Sequence, residues 1–409
     1  MIDNPFEYHD NDLYVACVGD NGGTDDFDIR EGFKTSVNIL IEAIENGACE
    51  DTLVYPIVYN VRHSIELSLK IVIERLIFIH SIKKKRFDQS DKKKIYTHNL
   101  QLLENIIGKY YSIDKRIVEI FDKVRPYLKD YYFDVKGDVF KYETDHEGNP
   151  HLITQGISSI SYDVLKVTYS EMMKIFDELI FETAYLCKEY ATGTFTKSLS
   201  REDIRNVSYE LPQRNEWKED SFDVCKAEIK KKYNIGSKEF SETLNIIQRH
   251  REFCEHIGME ILLGDILEEQ LKEYAELVIA MDDEGNVSTS SKMSDGLLES
   301  LTVVQNKARR RNDLAKNISD DTLTCLFVFR EFGNSIEIFS EEADRILEFF
   351  RKSKFDRMYM LKKVEKIPVL KRILLGMDRC GQTTYYNVIA GVFRDKGKKL
   401  PVFENTDWM

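Results

Sequence analysis

Two clusters of Arg and His are where this chain has the residue types for acid–base chemistry. In the second half, the run Gln248-Arg249-His250-Arg251-Glu252-Phe253-Cys254-Glu255-His256 sets an Arg, a polar residue and a later His close together. If Ser237–Ile257 is one helix, residues seven apart fall on one side, so Arg249 and His256 converge on a single phosphate. His256 would then shuttle a proton from an RNA 2′-hydroxyl and Arg249 would steady charge on phosphorus, with His250 the polar residue of the motif. Arg251 with His256 fits a shorter form of the same spacing. The chemistry requires no metal, and no cofactor is expected. The competing reading is an ordinary amphipathic helix. Phe240, Leu244, Ile247, Cys254 and Ile257 form its apolar arc with His250 inside it, while Arg249 and His256 lie on the solvated side.

The second cluster lies in an apolar run from Ile57 to His80. Arg62 and Lys70 stand four residues either side of Glu66, with His63 three before it, and together they make one polar stripe. A charge buried in such a helix must be paired or must face a cleft, since leaving it alone costs several kcal/mol as an order of magnitude. His98 and Asn99, opening a later helix, are the natural partners across an antiparallel pair. The stripe therefore reads either as a network that fixes helix register or as a ligand-binding cleft.

The segment Tyr55-Pro56-Ile57-Val58-Tyr59-Asn60-Val61-Arg62-His63-Ser64-Ile65-Glu66-Leu67-Ser68-Leu69-Lys70, followed by His98-Asn99-Leu100, resembles the HEPN superfamily of small helical bundles. The later Phe140-Lys141-Tyr142, Asp145 and Gly148-Asn149-Pro150 are similar to a stretch in bacterial members, so the likeness covers roughly residues 30–190. The resemblance implies a dimeric protein of toxin–antitoxin, abortive-infection or other antiviral systems, often a ribonuclease whose motif is an Arg, a polar residue and then a His four to six residues on. No His follows Arg62 at that distance, and the run from Arg249 to His256 alone has the required form.

The elements that would position these residues read as helices throughout. Phe33, Val37, Leu40, Ile41 and Ile44 recur at helical spacing, and Pro56 sits as if in the first turn of the central helix. The basic runs Lys83–Arg86 and Lys92–Lys94 read as a loop. Helices follow over His98–Tyr110 and Asp114–Tyr127, and from a Ser161 cap to near Gly193. A small β-hairpin or ordered loop is expected near 139–153, and the polar stretch 194–220 reads as a linker. Beyond it the pattern predicts helices over Asp220–Tyr233, Ser237–Ile257, Asp265–Met281, Gly296–Asn317, Asp320–Phe332 and Glu341–Lys352, with short ones from Phe355 to Phe393. Asp282–Ser291 reads as a mobile loop.

Composition supports an all-α chain of two helical domains, 1–193 and 221–409. With 42% hydrophobic and 32% charged residues and only 7 Pro in 409, it is neither disordered nor fibrous. No uncharged apolar stretch of membrane-spanning length and no signal-like start occur, and the seven Cys form no CxxC pair. A cytoplasmic protein without membrane contact is therefore expected. A net charge of −13 argues against a surface that coats nucleic acid, but the distribution is uneven. Residues 1–60 hold 13 Asp/Glu against 2 Lys/Arg, and residues 301–409 hold 21 Lys/Arg against 15 Asp/Glu.

That basic end includes Arg351, Lys352, Lys354, Arg357, Lys362, Lys363 and Lys366, followed by Leu370–Ile389, which reads as helix, tight turn, helix with Gln382, Thr383 and Tyr386 presented as in a DNA reader. No phosphate-binding Gly loop, dinucleotide fingerprint, HExxH or GxSxG is present. Taken with the Arg249–His256 run, the HEPN resemblance implies a prokaryotic defence or toxin-type endoribonuclease acting on RNA, as a homodimer with a regulatory protein partner. The alternative is a non-catalytic scaffold or a module that binds nucleic acid or a partner.

Overall fold

The computed structural model describes residue 6 and residues 13–287, 296–335, 338–353 and 356–402. Within these the chain is all α, with one isolated bridge between Thr144 and Pro150 in place of strands. The hairpin expected near 139–153 is therefore a turn: Asp145 Oδ1 accepts the N–H groups of Glu147 and Asn149 at 2.8 and 2.9 Å, and a four-residue helix follows. Contacts divide the chain into two compact units, Met1–Lys188 and Glu189–Met409.

The first unit contains α1 (Asp26–Glu45), α2 (Glu50–Ile82), α3 (Gln89–Lys94), α4 (Leu100–Tyr110), α5 (Lys115–Leu128), α6 (His151–Thr154) and all but the last three residues of α7 (Tyr162–Ala191). Helix starts follow from side-chain caps. Asp25 and Asp28 form a capping box at α1, and Asn99 and Asp114 cap α4 and α5. The centre is α2, where Ile57, Val61, Ile65, Leu69, Val72, Ile73, Leu76 and Ile79 are completely shielded, each contributing about 1.5–3 kcal/mol. Because α2 starts at Glu50, Pro56 sits inside it rather than in its first turn and gives no N–H to the Thr52 carbonyl. The basic stretch read as a loop folds in part into α3, since Asp91 turns inward onto Lys109 Nζ and Tyr110 Oη at 2.7 and 2.9 Å.

The stretch 194–220, expected to be a linker, lies inside the second unit. Ser200 and Asp203 form a capping box that starts α8 (Arg201–Glu210), and Ile204 and Val207 are fully buried. These pack with Leu199, Ile229, Phe240, Ile247, Phe253 and Ile257 into a core shared with α9 (Asp220–Lys232), α10 (Ser237–Arg249) and α11 (Arg251–His256). Polarity along 194–220 marks only the outer face of α8 and its flanks.

A second core gathers α12 (Glu268–Val287), α13 (Gly296–Asn317), α14 (Asp320–Phe332), α15 (Ala343–Lys352), α16 (Arg357–Val364), α17 (Ile367–Arg379) and α18 (Thr383–Asp395). Here α14 is buried nearly all round and α17 crosses it so closely that a Cβ on Gly376 would meet the Phe329 carbonyl oxygen at 1.8 Å. Of the loop expected at Asp282–Ser291, the backbone to Val287 continues α12, and Ser288–Ser291 lie outside the described residues.

Candidate functional site

The polar stripe of α2 closes into a clasp in which Arg62, Glu66 and Asp134 are buried and His98 stays exposed. Arg62, 3% exposed, donates from Nη1 to Glu66 Oε2 at 2.9 Å and from Nη2 to the Asp134 carbonyl at 2.9 Å and the His98 carbonyl. Its Nε lies 3.0 Å from Asp134 Oδ2. The other oxygen of Glu66 takes Lys70 Nζ at 2.7 Å and His98 Nδ1 at 3.0 Å. Asp134 Oδ1 in turn accepts the Gly137 and Asp138 N–H groups at 2.8 and 3.0 Å. Gly137 has φ +75°, and a Cβ there would lie 2.9 Å from Arg62 Nη1. Burial works against ionisation of Glu66, but the Lys70 and Arg62 hydrogen bonds outweigh it and hold its carboxyl below the usual range.

Arg62, Glu66, Lys70 and His98 thus meet. His63 does not join them: it packs edge-on against Phe33 with ring centroids 4.4 Å apart and stacks on Tyr59. Burial lowers the pKa of its imidazole. Asp134 and Gly137 complete the clasp and were missed from sequence, although Asp134 three residues before a Gly is a turn signal.

The Arg/His run of the second unit is not one helix. His250 has extended backbone (φ −95°, ψ 118°) and caps α11, its Nδ1 accepting the Phe253 N–H at 3.3 Å. This break ends the seven-residue register, and the two halves of the motif go to different surroundings. Arg249 closes α10 and lines an open cleft of about 760 Å³ with Lys238, Ser241, Glu242, Asn245, Ile246 and the chain from Thr192 to Thr194. His256 ends α11 away from that lining. Its Nδ1 is 2.6 Å from Ser208 Oγ, and its ring stacks on Tyr209 at 3.8 Å. Burial lowers the pKa of this imidazole too.

Ser208 is itself fully buried and donates to the Arg205 carbonyl at 2.6 Å, so the His256 Nδ1 is the donor to Ser208 Oγ and its half-buried ring keeps Nε2 as the acceptor. His250 also borders the cleft, and its Nε2 lies 2.9 Å from Glu341 Oε1 in a close contact that lacks hydrogen-bond geometry. Around it Arg201 bridges Glu341 at 2.8 Å and Glu252, and Ser340 Oγ donates to Glu252 at 2.8 Å. Burial disfavours the Glu341 carboxylate, yet the adjacent His250 ring and the Arg201 charge hold its pKa well below the usual carboxylate range. Arg251 is bound elsewhere, through Nε to the Ile261 carbonyl at 3.1 Å and Nη2 to Asp344 at 3.0 Å. Neither Arg249 nor Lys238 has an ion-pair partner among the described residues.

Lys238, Glu242, Asn245 and Arg249 follow one another at four, three and four residues, a single face of α10 that the sequence spacing already carried. The buried partners of His250 carried no such signal, being brought in from α8, α11 and the start of α15's segment.

Of the residues expected on a DNA-reading edge of α17–α18, Gln382 is not presented. Gln382 is completely buried, donating from Nε2 to the Ile261 and Cys380 carbonyls at 3.0 and 2.9 Å and accepting the Leu263 N–H at 2.7 Å. Thr383 bonds Glu255, and Tyr386 is half-buried against the core. Arg351 and Arg357 pair with Asp321 and Asp320 in the first turn of α14. Lys354 lies outside the described residues.

Among the described residues no three His, Cys, Asp or Glu side chains are grouped to hold a metal ion, and no helix is long and apolar enough to cross a membrane. Comparison of the chain with known protein families, characterised proteins and solved structures finds no match.

Proposed function

We propose that the protein binds single-stranded RNA along α10 of the second unit and holds it without cutting it. The observation behind this reading is the pair of cations without ion-pair partners, Lys238 and Arg249, at the ends of a polar face lining the large cleft. Its volume lies within the roughly 300–1,000 Å³ of ligand clefts. Two cations three helical turns apart, about 16 Å along the axis, suit phosphates two or three nucleotides apart, and Glu242 and Asn245 between them suit the donor and acceptor edges of an unpaired base. RNA rather than DNA follows from the HEPN resemblance of residues 30–190, so single-stranded DNA belongs in the test. In this reading the first unit is a helical platform whose clasp is structural, in a protein of the defence or toxin type.

A binding role is favoured over cleavage because the break at His250 sends Arg249 and His256 to different surroundings. The test is incubation of the pure protein with end-labelled single-stranded RNA, read on native and denaturing gels. A shifted but intact RNA is expected. Cleavage by wild type that disappears in His256→Ala would replace this reading with the endoribonuclease one.

A further inference from the structure

A second cavity, in the first unit, differs in chemistry from the α10 cleft. It holds about 310 Å³ and lies between α2, the segment 130–140 and the chain leading into α7. Its walls are Val58, Phe133, Phe140, Ile160 and Leu165, and no Lys, Arg or His lines it. Phe133 and Phe140 meet edge to face with centroids 6.3 Å apart, an arrangement that offers ring faces and edges to a planar guest. The polar groups are few: the Ser159 and Ser161 hydroxyls, the Thr168 hydroxyl, which donates to the Val164 carbonyl, the Tyr131 phenol and the Asp130 carboxylate. Tyr131 Oη has no hydrogen-bond partner and Asp130 no ion-pair partner among the described residues.

We infer that this cavity is a binding site for a small aromatic amine. A mostly apolar hollow at the lower end of the ligand-site range, with a handful of convergent polar groups, fits a fragment-sized ring system. The lone charge at its edge is negative, so an ammonium group on that ring is favoured and a carboxylate or phosphate is disfavoured. Such a ligand is opposite in charge to the RNA assigned to α10. The inference rests on a different unit and does not depend on that assignment.

The site also touches the clasp. Val58 lies one turn before Arg62 on α2, and Phe133 immediately precedes Asp134, so an occupant packs against the segment that Arg62 pins.

Isothermal titration of the full chain with tryptamine, indole and indole-3-acetate tests the assignment. Indole binding is expected, tryptamine roughly two- to fivefold tighter, and indole-3-acetate weaker than indole. Asp130→Asn should bring tryptamine to the affinity of indole. Val164→Trp, at a rim position that is 60% exposed, should abolish binding of all three while leaving the circular-dichroism melt unchanged. If that variant fails to fold, Ser159→Trp on the loop side of the rim gives the same reading. No binding of any probe to wild type, binding undiminished by the folded rim variant, or indole-3-acetate binding as tightly as tryptamine would each overturn the proposal.

Discussion

Arg62 and Glu66, one turn apart on α2, form an ion pair of 2.9 Å in which neither side chain is more than 3% exposed. Both are saturated by further partners: Arg62 by two backbone carbonyls and Asp134, Glu66 by Lys70 and His98. A site for chemistry needs a group left over for substrate, and the clasp leaves none on these two residues. What it does is fasten the 134–139 turn and the start of α4 to α2.

Removing one partner of the clasp should therefore be a stability event. Arg62→Ala is expected to cost about 3–5 kcal/mol, the usual penalty for stranding a buried charge, in urea unfolding of the first unit's transition. Glu66→Gln should cost less because the amide keeps one acceptor. RNA affinity of the folded fraction should not change, and a variant as stable as wild type would contradict the clasp.

Replacing Gly137 tests the same clasp from the turn side. Gly137→Ala asks for a Cβ at φ +75° and 2.9 Å from Arg62 Nη1, so a loss of at least about 1 kcal/mol is expected. An unchanged unfolding midpoint would show that the turn is not pinned as described.

Acid should loosen the second unit through Glu341. Its folded-state pKa lies below the unfolded value of about 4.3, so the stabilisation is fully present above that value and is lost as pH falls through the folded one. His256 acts in a higher window. Burial keeps it neutral when folded, and stability declines as pH drops from about 6.5 toward its lowered pKa. Unfolding measured from pH 8 to pH 3 should show both declines, with the lower one reduced in Glu341→Gln and the upper one reduced in His256→Ala, the remainder coming from groups such as Glu66 and His63.

Gln382→Ala should destabilise the protein, since it strands the Leu263 N–H and two carbonyls in the core, at about 1–3 kcal/mol for each group left unsatisfied. A variant that folded as well as wild type and lost only DNA binding would restore the helix-turn-helix reading.

How much of this was legible in the sequence depends on the reach of each interaction. The all-α class, the central burial of α2 and the joining of Arg62, Glu66, Lys70 and His98 followed from helical spacing, because these contacts are one turn apart or lie across one helix pair. His63, three residues from Glu66, also lies within helical reach of it yet turns to Phe33 and Tyr59, a choice made by α1 packing that no local pattern contains. The break at His250 was invisible for a related reason. Its ring lies against Glu341, ninety-one residues on, and the extended backbone at that point undoes the register that seemed to join Arg249 to His256. Polarity likewise misled at 194–220, where Ile204 and Val207 needed only two buried positions to seat α8 in the core.

The central claim, that α10 grips RNA through Arg249 and Lys238, is tested most directly by fluorescence anisotropy of a labelled single-stranded RNA over a salt series. Wild type should bind with an affinity that falls as salt rises. Arg249→Ala and Lys238→Ala should each weaken it about tenfold and reduce the log–log salt slope by about 0.7, the loss of one phosphate contact to a single strand. Wild-type binding that neither substitution alters, in affinity or in slope, would contradict the account.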